Sequence, residues 1–129
     1  MGDFRNLKAW REAKTLVLLS RNAIRKLPPE ERFALADQWR RAAYSAALNI
    51  AEGASKRGPR EFRRYLDTAR GSLHELEGIF ELARLLEYLS DGELSALEAA
   101  RDNCAKLRLR VATEDDSTQR AAVRDSRTT

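Results

Sequence analysis

The sequence predicts an all-α protein, an antiparallel up-down-up-down four-helix bundle, and three observations carry that prediction. Apolar residues recur three and four apart through most of residues 1–112, the spacing of one helix face. The interruptions are short and rich in helix-ending residues: Pro28-Pro29, Gly58-Pro59 and Ser90-Asp91-Gly92. No stretch reads as a strand. Helices of about 20–28 residues would be roughly 30–42 Å long, and short joints make neighbours antiparallel.

The first helix is expected from about Phe4 to Lys26, with Leu7, Trp10, Ala13, Val17, Ser20, Ile24 and Leu27 on its apolar side. Pro28-Pro29 ends it, and Pro29 with Glu30 and Glu31 suits the start of the second. That helix should bury Phe33, Ala36, Ala43, Ala47, Ile50 and Ala54 and stop near Lys56, before Gly58-Pro59. The third has the cleanest pattern. Phe62, Leu66, Ala69, Leu73, Leu76, Phe80 and Ala83 alternate spacings of four and three, a coiled-coil-like seam. Gly71 and Gly78 lie seven apart on another edge; each costs about 1 kcal/mol relative to alanine, which predicts a close helix crossing there. Ser90 to Glu93 reads as a turn and cap before a weaker fourth helix carrying Leu94, Leu97, Cys104, Leu107 and Val111. Residues 113–129 hold a single large aliphatic, Val123, and read as a disordered polar tail.

The apolar content exceeds one seam. Leu16, Leu18 and Leu19 in the first helix, and Ile79, Leu82, Leu85, Leu86 and Leu89 in or after the third, point several ways. A surface helix normally has one apolar stripe, so other subunits are expected to cover part of this surface.

Composition narrows the function. No apolar run approaches the ~18 residues of a membrane span, and the N-terminus lacks the uninterrupted apolar core of a secretory signal. A single cysteine, Cys104, fits a reducing compartment, so a cytoplasmic protein is expected. One histidine, His74, is too few for a pair of Glu-x-x-His motifs or a histidine-based zinc site. No nucleophile turn is present. The expectation is a protein that is not an enzyme, with no catalytic residues, no metal and no cofactor. The weaker enzymatic alternative is a HEPN-like ribonuclease using Arg70 and His74, although their spacing is one residue short of the Arg-x(4–6)-His motif.

Charge is distributed unevenly. Residues 1–64 carry 15 Lys/Arg against 7 Asp/Glu, a balance of +8, whereas residues 65–129 carry 9 against 13, a balance of −4. The densest basic run is the joint between the second and third helices, with Lys56, Arg57, Arg60, Arg63 and Arg64. Cations so concentrated replace counterions on a phosphate backbone. With Arg40 and Arg41 they form the candidate nucleic-acid-binding set, the partner being RNA or DNA. The alternative is a structural or protein-partner adaptor whose charge asymmetry serves assembly alone.

The second helix also carries Gln38, Arg41, Ser45, Asn49 and Glu52 along one edge, a polar stripe beside many alanines. Such a stripe suits specific helix pairing. The segment Gln38–Gly53, Q-W-R-R-A-A-Y-S-A-A-L-N-I-A-E-G, is followed by P-R-E-F-R-R-Y-L-D-T-A-R-G-S-L-H-E-L-E. Together they resemble the bacterial four-helix-bundle proteins encoded in 23S rRNA intervening sequences, the S23-like family. The resemblance extends from about Phe4 through Leu89. It implies a ring-like homopentamer, related in fold to the accessory variability determinant of diversity-generating retroelements, which works with a reverse transcriptase and binds nucleic acid. A reverse transcriptase or another protein is therefore an implied partner, and no catalytic residues come with the resemblance. The matching positions are Gln38, Arg40, Arg41, Ser45, Asn49, Glu52 and Gly53, with Gly71, Ser72, Glu75 and Glu77. Of these, Gln38, Ser45, Asn49, Glu52, Gly53, Gly71, Ser72 and Glu75, together with Gly78, are the expected helix and subunit contacts.

Overall fold

A computed structural model describes residues 8–56 and 58–106. It is all-α: α1 (Lys8–Ile24), α2 (Leu35–Ala54), α3 (Pro59–Leu85) and a fourth helix, α4, over residues 91–106, with no strand among the described residues. The expected polar tail, and the apolar positions Leu7, Leu107 and Val111, lie outside the described residues.

The core is one cluster to which all four helices contribute. On α3 the predicted seam is buried from Leu66 to Ala83, and Phe62 packs against its end half-buried. Fourth-helix residues Leu94, Leu97, Ala100 and Cys104 close the cluster. On α1 the buried stripe is Ala9, Ala13, Leu16, Ser20 and Ala23. It is rotated by about one residue from the expected one, and Trp10, Val17 and Ile24 flank it half-buried. Small residues face inward there because α1 lies close against alanine-rich α2, leaving the larger side chains at the margins.

At the centre of the cluster is a residue that the apolar periodicity did not single out, Trp39. It is fully buried, and its ring meets Phe80 edge-on at 5.5 Å between centroids. Such an aromatic pair contributes about 0.5–1.5 kcal/mol beyond area burial. Its Nε1–H and the Ser20 hydroxyl are buried without a hydrogen-bond partner among the described residues.

The turn between α1 and α2 departs from expectation. Pro29–Glu31 forms a single 3-10 turn, and α2 begins only at Leu35. Ala34 has φ −118° and ψ −101°, which breaks the helical path. Phe33, expected on the buried side, is 85% exposed beneath the Arg32 guanidinium. Glu31 substitutes for the missing cap. Its carboxylate accepts the Leu35 backbone N–H at 3.3 Å and the Tyr88 hydroxyl at 2.6 Å. One side chain thus joins the start of α2 to the segment just past α3. The bond to Glu31 pushes the Tyr88 pKa from 10.0 up to about 12.

The far end of α3 closes in a Schellman motif: Tyr88 N–H donates to Ala83 O at 3.0 Å and Glu87 N–H to Arg84 O at 3.1 Å. Glu87 occupies the left-handed position, φ 59°, that glycine usually takes. Ser90 and Glu93 then supply the expected cap, in the form of a capping box. Glu93 N–H donates to Ser90 Oγ at 3.2 Å, and Glu93 Oε1 accepts the Ser90 backbone N–H at 3.4 Å and its hydroxyl at 2.9 Å. Lys26, just past α1, donates to Glu93 Oε2 at 2.6 Å and holds that carboxyl below its usual range. On the neighbouring side, Arg101 of α4 donates to Leu73 O at 2.9 Å and pairs with Glu77 at 3.0 Å. Arg84 pairs with Glu98, which raises the arginine's pKa.

Candidate nucleic-acid interface

The basic joint forms because α2 stops at Ala54 and the chain re-enters a helix within a few residues. Gly58, with φ 85°, makes the turn, and Pro59 supplies a preset φ for the first position of α3. A close approach holds the joint together. A Cβ at Gly53 would stand 3.0 Å from Tyr65 Cβ and 3.4 Å from the Phe62 ring. Glycine at that point lets α2 and the first turns of α3 touch.

Arg60, Arg63 and Arg64 are exposed on the first two turns of α3. With Pro59 and Asp67 they line a shallow hollow of about 400 Å³. Lys56 lies 5.2 Å from the Tyr65 ring centroid and 4.0 Å from the Glu52 carboxylate. The positive end of the α3 dipole adds to the field there, because no side chain caps the helix start. Arg57 lies outside the described residues.

Arg40 and Arg41 do not join this cluster. They pair with Asp37 at 3.6 and 3.2 Å, in the first third of α2. A helix rise of 1.5 Å per residue places them roughly 20 Å along the axis from the joint. The sequence grouped them by charge, but the length of α2 separates them.

Within the polar stripe, the structure brings Ser45 and Ser72 together. Ser72 donates its hydroxyl to Ser45 Oγ at 2.8 Å, and Asn49 Nδ2 donates to the Ser45 carbonyl at 2.8 Å and to Ser45 Oγ at 3.2 Å. These three residues form a polar clasp between α2 and α3. Gln38, Glu52 and Glu75 are exposed. Gly71 and Gly78 are exposed as well, and a Cβ on either would meet nothing within 4 Å. The close crossing expected at those two glycines is absent inside the subunit; the crossing occurs at Gly53.

Arg70 and His74 are exposed one turn apart on α3. His74 Nδ1 stands 3.7 Å from Glu77 Oε2, the oxygen that also accepts from Arg101. Among the described residues no group of three or more His, Cys, Asp or Glu is placed to hold a metal ion, and no helix is long and apolar enough to cross a membrane.

Several leucines that the helical periodicity left unassigned are now located. Leu18, Tyr44 and Leu48 are exposed along α1 and α2, beside an apolar groove of about 310 Å³ that also takes in Trp10 and Val17. Leu82, Leu85 and Leu86 form a second exposed group at the end of α3. Leu16, Ile79 and Leu89, from the same surplus, are buried in the core.

The fold and its surface therefore define a small four-helix bundle with a basic hairpin end and two exposed apolar patches. The family model for the 23S rRNA-intervening sequence protein matches residues 5–109, so the chain belongs to that family. No curated protein matches it.

Proposed function

We propose that the protein is a non-enzymatic homo-oligomer that associates with RNA or DNA through the basic hairpin ends of its subunits. The observation that carries this reading is the exposure of Arg60, Arg63 and Arg64 together around one hollow at the start of α3. Phosphate is the ligand chemistry that such a cluster fits, and contacts of this kind are largely indifferent to sequence.

Two exposed apolar groups on different helices support assembly. A patch on α1 and α2 facing a different patch at the end of α3 makes a heterologous contact, which closes into a ring when the rotation allows. The family resemblance favours five copies. Gly71 and Gly78 fit the same reading: each is costly in an exposed helix and is explained if a neighbouring subunit's backbone comes close. The up-down-up-down arrangement belongs to this reading too. Trp39 with Phe80, Ser45 with Ser72 and Gly53 with Tyr65 descend α3 as they ascend α2, which supports antiparallel neighbours.

A ring multiplies a weak contact through avidity. If each of five subunits neutralises two phosphates, affinity for duplex DNA falls with salt at a log–log slope of about −9. Titration of labelled RNA and duplex DNA at stepped salt tests the reading. Saturable binding that weakens steeply with salt and is abolished by Arg60→Glu, Arg63→Glu and Arg64→Glu with oligomer mass intact is the expected result. Absence of binding to either nucleic acid at low salt refutes it. A triple variant that dissociates the oligomer favours the adaptor reading instead.

A further inference from the structure

Away from the basic joint, α1 and α2 enclose a second positively charged cavity that neither the sequence motifs nor the family match assigns. It is small, about 170 Å³; Arg21 in the last turn of α1, Arg25 just past it and Arg40 of α2 line it, beside an apolar wall of Val17, Ile24 and Ala43. Ser20 lines it as well, 1% exposed, with its hydroxyl unpartnered among the described residues. Arg21 and Arg25 have no carboxylate partner among the described residues, and Arg40 stands 3.6 Å from Asp37, which lies on its own helix.

The position of α1's end accounts for only part of this. A cation in the last turn of a helix complements the dipole, which explains Arg21 and its neighbour Arg25. It does not explain why α2 directs a third arginine to the same cavity, or why a buried serine there lacks a partner. A buried hydroxyl without a hydrogen bond is costly, and an oxyanion in the cavity would relieve that cost. Guanidinium groups bind phosphate and carboxylate through parallel N–H donors. Here three arginines line one cavity from both of its sides, α1 with the turn after it and α2, so their guanidinium groups can reach a tetrahedral group on more than one side. The volume sets the size of the ligand: pockets for drug-sized molecules run to about 300–1,000 Å³, so this one fits a single anionic head group.

We propose that the α1/α2 cavity is a binding site for one phosphate group, held by Arg21, Arg25 and Arg40 with Ser20 beneath. The group is either free phosphate or the terminal phosphate of a nucleic acid. This site is separate from the basic joint and stands whether or not the joint binds nucleic acid.

The test is calorimetric titration of the full chain at constant ionic strength in chloride. One arm uses inorganic phosphate; the other uses a short oligonucleotide with a 5′-phosphate against the same oligonucleotide with a 5′-hydroxyl. Saturable binding of phosphate, or of the 5′-phosphorylated form in preference to the 5′-hydroxyl form, is expected, and the tighter of the two identifies the source. Each of Arg21→Gln and Arg25→Gln should weaken phosphate binding, and the preference for the 5′-phosphorylated form, roughly tenfold. Ser20→Ala, which removes a buried unpartnered hydroxyl and so keeps the fold, should also weaken binding. No saturable binding of inorganic phosphate together with no preference for the 5′-phosphorylated form, or a phosphate response or preference that survives the loss of Arg21 and Arg25, overturns the proposal.

Discussion

Ser72 donates its hydroxyl to Ser45 across 2.8 Å, joining the middle of α3 to the middle of α2. Both residues lie within the range 5–109 that the family model matches, and Ser72 is 9% exposed. A neutral hydrogen bond of this kind contributes about 0.5–1.5 kcal/mol. Ser72→Ala should destabilise the bundle by about 1 kcal/mol. A double-mutant cycle with Ser45→Ala should show coupling of at least 0.5 kcal/mol, the lower end of what contacting residues show, by urea denaturation. Strict additivity would mean that the clasp adds no stability.

The glycines give opposite predictions. Gly53→Ala places a Cβ 3.0 Å from Tyr65 Cβ, where α2 or α3 must shift by a few tenths of an ångström. Overpacking of this sort costs about 1–3 kcal/mol, which outweighs the gain of about 0.8–1 kcal/mol in helix propensity and makes the change destabilising. Gly71→Ala and Gly78→Ala meet open space within the subunit, so helix propensity alone would stabilise the isolated bundle by about 0.8–1 kcal/mol each. If subunits pack over that edge, the same two substitutions lower oligomer stability instead. Thermal unfolding across a range of protein concentrations distinguishes the two, because only the assembled form depends on concentration.

Glu87 holds a left-handed backbone, φ 59°, at the end of α3. That conformation costs a side-chain-bearing residue about 1–2 kcal/mol. Glu87→Gly should therefore raise stability by up to about 1 kcal/mol once glycine's greater unfolded freedom is deducted, measured by thermal or urea unfolding.

The Tyr88–Glu31 bond predicts a loss of stability at high pH. The unfolded tyrosine releases its proton near 10.0 and the folded one near 12, so between those values the unfolded state binds fewer protons. The contribution is complete below pH 10 and is lost as pH rises toward about 12. Tyrosinate absorbance should show a late-titrating group that disappears in Tyr88→Phe and moves back toward 10 in Glu31→Gln. The Lys26–Glu93 pair works in the opposite direction. Its depressed carboxyl stabilises the fold above the usual carboxylate range, and that stability is lost as pH falls through the lowered pKa.

Helix identity was legible because period-three-and-four apolar spacing dominates burial; the α3 seam from Leu66 to Ala83 follows it position by position. The capping box at Ser90 and Glu93 was legible for a similar reason, since its chemistry is local. Trp39 escaped because the alanines around it divide the buried face among several equivalent rows, although its spacing from Ala36, Ala43 and Ile50 is helical. Phe33 misled because it is apolar and near a helix start, whereas it falls between the 3-10 turn and the break at Ala34, before α2 begins. The candidate site was half legible. A charge run within nine residues folds as one patch, but Arg40 and Arg41 needed the length of α2 to be placed. The α1/α2 cavity brings Arg40 to Arg21 and Arg25, 19 and 15 residues earlier in the chain, a distance that no local motif spans.

The most direct test of the proposed oligomeric, nucleic-acid-associated protein is its mass in solution with and without added RNA, by light scattering. The proposal predicts a multiple of the 14.7 kDa chain, with five copies expected. Added RNA should increase that mass, and Arg60→Glu, Arg63→Glu and Arg64→Glu together should abolish the increase while leaving the oligomer intact. A 14.7 kDa species whose mass RNA does not change would contradict it.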